Sequence, residues 1–320
     1  GNDGSVFPFV SVFEINCRRR GYGKASKNYR VKIYLEKVIM RVVSFGEILW
    51  DIIDGVPHLG GAPFNFAAHA VQCGSEASMI SCVGRDRFGE EALKRAAELG
   101  LDTAWIEMND TLPTGTVEVT LQRGQPDYTI MTNVAYDTIQ GPTLSNVEAD
   151  VFYFGTLAQR DQRSRSALHN LLARGKFSHV FYDVNLRKES YTIDIISESL
   201  RYSTILKLNE DEVRTLSPLL VDGSDDVASF CSALRLRYPN VSIVIVTAGE
   251  RGCFIQQGSE LAHIPGKTVK VHDAVGAGDS FSAAFMHTYT RTGDVIKAGQ
   301  VANEVGAYVA SNAGAIPVYS

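Results

Sequence analysis

The run "SHVFYDVN" (178–185) is apolar at its centre and ends in polar residues, Asp183 and Asn185. Similar runs, rich in Val, Ile, Phe and Tyr, recur along the chain: "RVVSFGEI" (41–48), "ASMISCVG" (77–84), "ADVFYFG" (149–155), "STILKLN" (203–209) and "VSIVIVTAG" (241–249). Short apolar runs of this composition predict strands that are buried on both faces. The polar residues that end them are candidates for chemistry, because ligands bind beyond the carboxyl ends of parallel strands.

Helical patterns separate these runs. They lie at 63–73, 88–99, 162–174, 209–216, 224–237, 278–291 and 294–311. Alternation of strands with helices predicts an α/β fold, with a central, mostly parallel sheet flanked by helices on both faces.

The segment "TGTVEVTLQRGQPDYTIMTN" (114–133) breaks this alternation, because two alternating strands surround "RGQPD" and no helix follows. Together with the end of the first strand, at about 48–56, it could form a small sheet that covers the active site and excludes water. Periodicity alone fits an edge hairpin equally well.

Composition restricts the possible partners. Hydrophobic residues make up 45% of the chain and charged residues 21%, which is ordinary for a globular protein. Residues 1–39 hold eight Lys/Arg and three Asp/Glu, and residues 40–320 hold 23 and 33. This acidic body disfavours nucleic acid as a partner. No apolar run is long enough for a membrane span, so no membrane partner is expected.

Five scattered cysteines without a CxxC pair argue against a disulfide framework and favour a reducing, cytoplasmic location. Residues 1–39 show no sustained period, and "RRR" (18–20) follows their apolar stretch, whereas a signal peptide has its basic residues first. We therefore expect a peripheral N-terminal extension, 1–39, before a catalytic domain at 40–320.

The stretch "DAVGAGDSF" (273–281) places two acids around small residues, directly before a helical pattern. The backbone N–H groups of Gly276, Ala277 and Gly278 can point to one place at the helix start, where the helix dipole also favours an anion. A carboxylate there, Asp279, could take the proton from a hydroxyl that attacks a phosphate. Taken alone, Asp279 is more simply a capping acid. Walker, dinucleotide-binding, zinc-protease, esterase and protein-kinase motifs are missing from the sequence.

"GGAPFNFAAHAVQCG" (60–74) with Gly84, together with "DAVGAGDSFSAAFM" (273–286), resembles the two signatures of the ribokinase-type (PfkB) carbohydrate kinases. Supporting matches in the family's order are "GRDRFGEEALKRAAELGLDT" (84–103), "TGTVEV" (114–119), "DVNLR" (183–187), "LNEDE" (208–212), "VTAGERG" (246–252) and "ANEVGAYVASNAGAIP" (302–317). "GEILWDII" (46–53), "NVAYDTI" (133–139) and "GTLAQR" (155–160) are most similar to the fructokinase branch. The resemblance implies a ribokinase-like fold with a small β-sheet lid.

On the nucleotide side, the resemblance implies that Asp279 is the general base and that the N–H groups from Gly276 to Asp279 form the anion hole. It further implies that Asn209 and Glu212 organise Mg²⁺ and phosphate through water. ATP would also meet Asn185, Lys207, Thr247, Gly249 and Asn303. Main-chain carbonyls near Asp273 and Val275 would form a potassium site, as in several relatives.

On the sugar side, the resemblance implies that Asp51 accepts hydrogen bonds from sugar hydroxyls. Gly60 and Gly61 would allow a close backbone approach, and Asn65 would add an amide. Arg160 would contact the substrate or a phosphate. Phe64 and Ala274 depart from the family's pattern, where a smaller residue and Thr are commoner, and Phe64 bears on which sugar fits.

These implications lead us to expect a sugar kinase that uses ATP and Mg²⁺, with fructose as the preferred substrate and a possible homodimer through the lid. Ribose, 2-keto-3-deoxygluconate, another hexose or a nucleoside are alternative substrates. A non-catalytic, sugar- or nucleotide-binding regulator is the alternative from another class, and the intact Asp279, Asn209 and Glu212 count against it.

Overall fold

The computed structural model describes residues 11–18, 28–35, 39–122, 125–142, 147–188, 190–221, 223 and 226–319. The chain divides into two compact units, Gly1–Ile39 and Met40–Ser320. In the first unit, β1 (Ser11–Arg18) and β2 (Asn28–Leu35) pair antiparallel. The sequence showed no sustained period there, so this pair was not foreseen. The peripheral role expected for 1–39 stays a prediction.

The second unit alternates strands and helices. Its strands are β3 (Arg41–Phe45), β4 (Leu49–Ile53), β5 (Val56–Gly60), β6 (Glu76–Gly84), β7 (Ile106–Asn109), β8 (Gly115–Gln122), β9 (Gln125–Ile130), β10 (Glu148–Phe154), β11 (Lys176–Asp183), β12 (Ile205–Asn209), β13 (Ile243–Thr247), β14 (Cys253–Gln257) and β15 (Glu260–Ile264). Its α-helices are α1 (Ala62–Gln72), α2 (Arg87–Glu98), α3 (Gln162–Arg174), α4 (Ile193–Tyr202), α5 (Glu210–Leu220), α6 (Val227–Arg237), α7 (Ala277–Thr292) and α8 (Val295–Ala310). Short 3₁₀ helices lie at Ala135–Thr138, Leu157–Arg160 and Gly249–Arg251.

The large sheet has nine strands in the order β15-β14-β13-β12-β11-β10-β3-β6-β7. The strands from β13 to β7 run parallel, and β14 and β15 are added antiparallel at one edge. The six apolar runs in the sequence correspond to β3, β6, β10, β11, β12 and β13, which confirms the predicted sheet. The helix α4 and the strands β7, β14 and β15 were not predicted.

The core lies in two layers, one on each face of this sheet. Alternate residues of β10 point to opposite layers, so that Phe152 and Phe154 pack in one and Val151 and Tyr153 in the other. This burial on both faces explains why the strands read as continuous apolar runs. None of the helices in the described part of the chain combines the length and hydropathy needed to cross a bilayer.

A second, four-stranded sheet in the order β5-β4-β8-β9 is separate from the large one. The segment 114–133 supplies β8 and β9, and the extension of the first strand supplies β4 and β5. Turn residues 123 and 124 lie outside the described part. This sheet lines the same cavity as the carboxyl ends of the large sheet's strands. Its lining residues include Leu49, Asp51, His58, Val117 and Ile130. The predicted small sheet is therefore present beside the cavity, and its action as a lid stays a prediction.

Candidate active site

A cavity of about 1550 Å³ opens at the carboxyl ends of the parallel strands. Glu47 after β3, Asp183 of β11, Asn209 of β12 and Thr247 of β13 all line it. Small-molecule pockets usually measure about 300–1,000 Å³. This cavity therefore has room for two ligands of that size side by side.

The N-terminus of α7 faces this cavity and has no side-chain cap. Its N-cap residue, Gly276, has φ 79°, and a Cβ there would meet the Ala315 carbonyl oxygen at 2.2 Å. Only glycine fits this position without strain. Ala277 donates its N–H to the Ala274 carbonyl at 3.3 Å. N–H groups of the N-cap and first turn lack intrahelical acceptors, so Gly276, Gly278 and Asp279 remain as candidate anion-binding donors of the predicted set.

Asp279 lies in the first turn of α7 and is held by a residue far away in the sequence. Its Oδ2 accepts a hydrogen bond from Asn65 Nδ2 of α1 at 2.9 Å. Burial and then the neighbouring charge of Asp183 raise the pKa of Asp279 to about 6, against the lowering effects of Asn65, Lys207 and Arg187. A carboxylate with this pKa is ionised at neutral pH and still basic enough to accept a proton.

Beside the base, Lys207 and Asp183 form a buried ion pair with an N–O distance of 2.7 Å. Asp183 also accepts hydrogen bonds from Tyr153 Oη at 2.9 Å and Ser282 Oγ at 3.4 Å. Burial would lower the pKa of Lys207, but Asp183 and Asp279 outweigh it and raise the pKa, so the ammonium stays charged. A Cβ at Gly278 would lie 3.4 Å from Lys207 Nζ, which places this cation beside the anion-binding turn.

Asn209 and Glu212 form a reciprocal cap at the start of α5. Asn209 Oδ1 accepts the Glu212 N–H at 2.9 Å, and Glu212 Oε2 accepts the Asn209 N–H at 2.8 Å. Glu212 Oε1 accepts the Leu186 N–H at 2.7 Å. Burial and then Asp183 raise the pKa of Glu212. Both side chains line the cavity, yet both also have a structural task.

At the other end of the cavity, Asp51 projects from β4. Burial raises its pKa, and the charges of Arg187 and His58 oppose this. A Cβ at Gly60 would come within 2.9 Å of Asp51 Oδ2, so glycine leaves the space that this carboxylate occupies. At Gly61, which has φ 110°, a Cβ would meet the Glu47 carbonyl oxygen at 2.4 Å.

Arg160, predicted to contact substrate or phosphate, is already bound. Its Nε and Nη2 donate to Asp137 at 2.8 and 3.0 Å, and Nη2 donates to the Met131 carbonyl at 2.6 Å. The guanidinium also lies 4.9 Å from the centroid of the Tyr136 ring. Arg160 lines the cavity, but Asp137 neutralises its charge.

The remaining predicted nucleotide residues divide into two groups. Asn185, with φ 41°, and Thr247 line the cavity. Gly249 lies in the β13–β14 connection and Asn303 on α8, both outside the cavity lining. The Asn303 amide donates to the carbonyls of Ile264 and Pro265, each at 3.1 Å, and so fixes the chain after β15.

The fit of these residues to metal ions is limited. Among the described residues, no group of three or more His, Cys, Asp or Glu could hold an ion. Both oxygens of Glu212 already accept backbone N–H groups, so direct coordination has little support. Asp273 Oδ1 accepts the Val275 N–H at 3.0 Å within the turn where the potassium site is expected, and the site itself stays a prediction.

Two cavity residues that the sequence analysis did not name are Glu47 and Arg187, whereas Asp183 was named only as a strand-end candidate without a role. Glu47 stands just after a buried strand, so the strand-end rule could have found it as well. Arg187 is exposed, and its charge acts on Asp51, Asp279 and Glu47. The run "DVNLR" that contains it was the available signal.

A ribokinase-like fold whose cavity contains an uncapped helix start and a carboxylate with a raised pKa defines a phosphotransferase with an alcohol acceptor. The model of the pfkB family carbohydrate kinases matches residues 29–319, so the chain belongs to that family of sugar kinases.

Known relatives cover most of the chain. An uncharacterised sugar kinase of Pyrococcus horikoshii is 29% identical over 300 residues, covering 86% of this chain and 91% of the relative. Its crystal structure in complex with ATP matches with a TM-score of 0.72 at 25% identity, over 86% and 94% of the two chains. A fructokinase of Solanum tuberosum is 27% identical over 264 residues, which cover 77% of this chain and 79% of the fructokinase.

A fructokinase of Vibrio cholerae, solved with fructose, ADP and calcium, matches with a TM-score of 0.76 at 22% identity. The match covers 88% of this chain and 96% of the fructokinase. This identity supports the shared fold alone.

Proposed function

We propose that this protein transfers the γ-phosphoryl group of ATP to the primary hydroxyl of a sugar, with fructose as the preferred acceptor and fructose 6-phosphate as product. The observation that carries the proposal is the position of Asp279. It lies at the uncapped start of α7, with a pKa of about 6 and one oxygen bound by Asn65. A base and an anion site in one helix turn suit attack by a hydroxyl on a phosphate.

In the proposed reaction, Asp279 takes the proton of the sugar hydroxyl while the hydroxyl oxygen forms a bond to the γ-phosphorus of ATP. The bond from that phosphorus to the bridging oxygen breaks, and ADP leaves with the electron pair. The N–H groups of Gly278 and Asp279, with Lys207 Nζ beside them, stabilise the charge on the transferred group. Phosphoryl transfer depends mainly on such positioning and charge neutralisation.

In the proposed reaction Mg²⁺ would enter as part of the ATP complex, and within the described ranges no group of three or more His, Cys, Asp or Glu would hold it directly. Magnesium keeps several waters and binds nucleotide phosphates readily. Asn209 and Glu212 would meet its water shell only through the lone pairs that their capping bonds leave free. Asn185 and Thr247 line the cavity where the phosphates would lie.

The sugar would lie between Asp279 and the small sheet, with Asp51 as an acceptor for its hydroxyls. Phe64 is fully buried and lines this end of the cavity. A bulky ring there limits the size of the sugar, so Phe64 bears on which sugar fits. The Pyrococcus horikoshii sugar kinase and the plant fructokinase support the sugar class, and fructose itself is the finer part of the proposal.

A homodimer through the small sheet and a cytoplasmic location also stay proposals. Ile53 and Val56, paired across β4 and β5, and Met131 are exposed apolar residues of this region. Such residues suit a contact with a second copy of the sheet. Cys73, Cys82, Cys231 and Cys253 are free, in keeping with a reducing compartment.

The test is sugar-dependent ADP release from MgATP with fructose, ribose, 2-keto-3-deoxygluconate, mannose and adenosine, for the wild type and Asp279→Asn. A strong fructose signal that the variant lacks supports the proposal. A strong signal with another acceptor keeps the mechanism and refutes fructose. Sugar binding without turnover by the wild type on any acceptor refutes the kinase proposal and favours a sugar-binding regulator.

A further inference from the structure

Glu47 is a buried acid that the proposed mechanism leaves without a task. It follows β3, lines the cavity and is 4% exposed. Its backbone is fixed from two sides. Its carbonyl packs against Gly61, and Ser81 Oγ donates to the carbonyl of the preceding Gly46 at 2.7 Å. The side chain is therefore held in place by the framework of the large sheet.

The carboxyl group of Glu47 is only partly satisfied. Burial raises its pKa to about 7 and the Asp279 charge adds to this, while the N–H groups of Glu47 and Ala62 and the charge of Arg187 oppose it. Its Oε2 has no hydrogen-bond partner among the described residues. Leaving a buried polar atom without a partner is unfavourable. Capping α1 at Ala62 would need one carboxyl oxygen and leaves Oε2 unexplained.

A second unsatisfied atom lies in the same wall. Asn65 is also 4% exposed and lines the cavity, and its Nδ2 is used on Asp279. Its Oδ1 has no hydrogen-bond partner among the described residues either. An amide oxygen and a carboxyl oxygen beside the base can receive and orient one polyhydroxylated ligand.

We propose that Glu47 is a substrate-contact residue, whose Oε2 hydrogen-bonds a hydroxyl of the acceptor sugar near the one that Asp279 deprotonates. This inference rests on the proposed function, because it concerns the same acceptor. A hydroxyl can donate to a carboxylate or accept from a carboxylic acid, so the contact forms in either protonation state. By fixing a second hydroxyl, Glu47 selects which hydroxyl faces the γ-phosphate.

The test is a thermodynamic cycle that combines substitutions of Glu47 with removal of single hydroxyls from the sugar. Wild type, Glu47→Ala and Glu47→Gln are measured with fructose and its 1-, 3- and 4-monodeoxy derivatives, or with the best acceptor of the panel and its derivatives. We expect Glu47→Ala to lower kcat/KM for the sugar about tenfold to a hundredfold, mainly through KM, as for a lost hydrogen bond to a charged group. One deoxy derivative should lack the hydroxyl that Glu47 binds. The wild type should use this derivative poorly, and Glu47→Ala should use it no worse than the wild type does.

Glu107→Gln is the matched control. Its carboxyl oxygen also accepts two backbone N–H groups, from Gln140 and Gly141 at 3.1 and 2.7 Å, but it does not line the cavity. This control should leave every ratio between sugar and derivative unchanged. Calorimetric titration of the sugar gives the same comparison without turnover.

The inference is overturned if Glu47→Ala loses activity equally on the sugar and all derivatives, or loses none. Failure of both Glu47 variants to fold would assign the residue to the framework and also overturn it. If the wild type phosphorylates a sugar without this coupling, the inference fails alone. If the wild type neither binds nor phosphorylates any sugar, the proposed function fails with it.

Discussion

Replacing Asp279 by Asn should abolish catalysis and stabilise the protein at neutral pH. Asn keeps the size of the side chain and an oxygen that can accept from Asn65, but it cannot take a proton. Loss of a general base costs about 10²–10⁴ in rate. Sugar binding should persist, since Asp51 and the rest of the cavity are unchanged.

The gain in stability follows from the pKa of Asp279, which burial and then Asp183 raise from 3.8 to about 6. The folded state therefore holds this proton more tightly than the unfolded state, so ionisation lowers the free energy of unfolding. The penalty is absent below about pH 4 and complete above about pH 6. A shift of this size corresponds to about 3 kcal/mol at 1.36 kcal/mol per unit. Asp279 is only half-buried in the cavity wall, so solvent screens its charge and we expect about 1–2 kcal/mol.

The measurement is thermal and urea unfolding of both proteins from pH 4 to pH 8. We expect Asp279→Asn to melt a few degrees above the wild type at pH 7.5. The difference should vanish near pH 4, where the wild-type carboxyl is protonated in both states.

Asp86 provides a control of opposite sign. Burial would raise its pKa, but hydrogen bonds from Thr114 and Gly89 outweigh this and lower it. Asp86→Asn should therefore be less stable than the wild type at pH 7.5. A destabilised Asp279→Asn, shifted in the same direction as this control, would refute the assignment of Asp279 as a carboxylate whose ionisation costs stability.

Three further expectations concern the same site and its surroundings. Asn65→Leu removes the hydrogen bond that lowers the pKa of Asp279. The acidic limb of the pH profile of kcat, measured from pH 5 to pH 9, should therefore move up by about one to two pH units. An unchanged limb would contradict this expectation. Deletion of residues 1–39 should leave kcat and KM unchanged, and steady-state kinetics showing a large loss would assign that segment a role in activity. Exchange of Na⁺ for K⁺ should raise activity if the turn at Asp273 and Val275 binds potassium, and equal rates in the two salts would remove that site.

Burial on both faces made the central sheet predictable. The six strands that were predicted needed no partner information, because each is a short apolar run and most of them are followed by Gly, Asn or Asp. The helix α4 was missed, although parallel strands such as β11 and β12 require a crossover between them. Thr192, whose hydroxyl accepts the Ile195 N–H, was its local start signal.

The site was predictable where motifs coincide with strand ends or helix starts, as at Asp51, Asn209 and Asp279. Pairing across long separations was not. The contact of Asn65 with Asp279 joins residues 214 positions apart. The same holds for the ion pair of Arg160 with Asp137. It also holds for the hydrogen bonds from Asn303 to the carbonyls of Ile264 and Pro265. Spacing along the sequence does not reveal which of these residues meet in the fold.

Because Asn209 and Glu212 cap α5 reciprocally, their presence in a related sequence does not show that the related protein is an active enzyme. A duplicated copy that lost its chemistry would still keep both, because losing either would leave backbone donors of α5 unsatisfied. Asp279 differs, because its raised pKa predicts that ionisation costs stability, and in the proposed reaction this residue is kept for turnover. In searching genomes for inactive copies of this protein, an intact Asn209–Glu212 pair is therefore uninformative, and replacement of Asp279 is the mark of a pseudoenzyme.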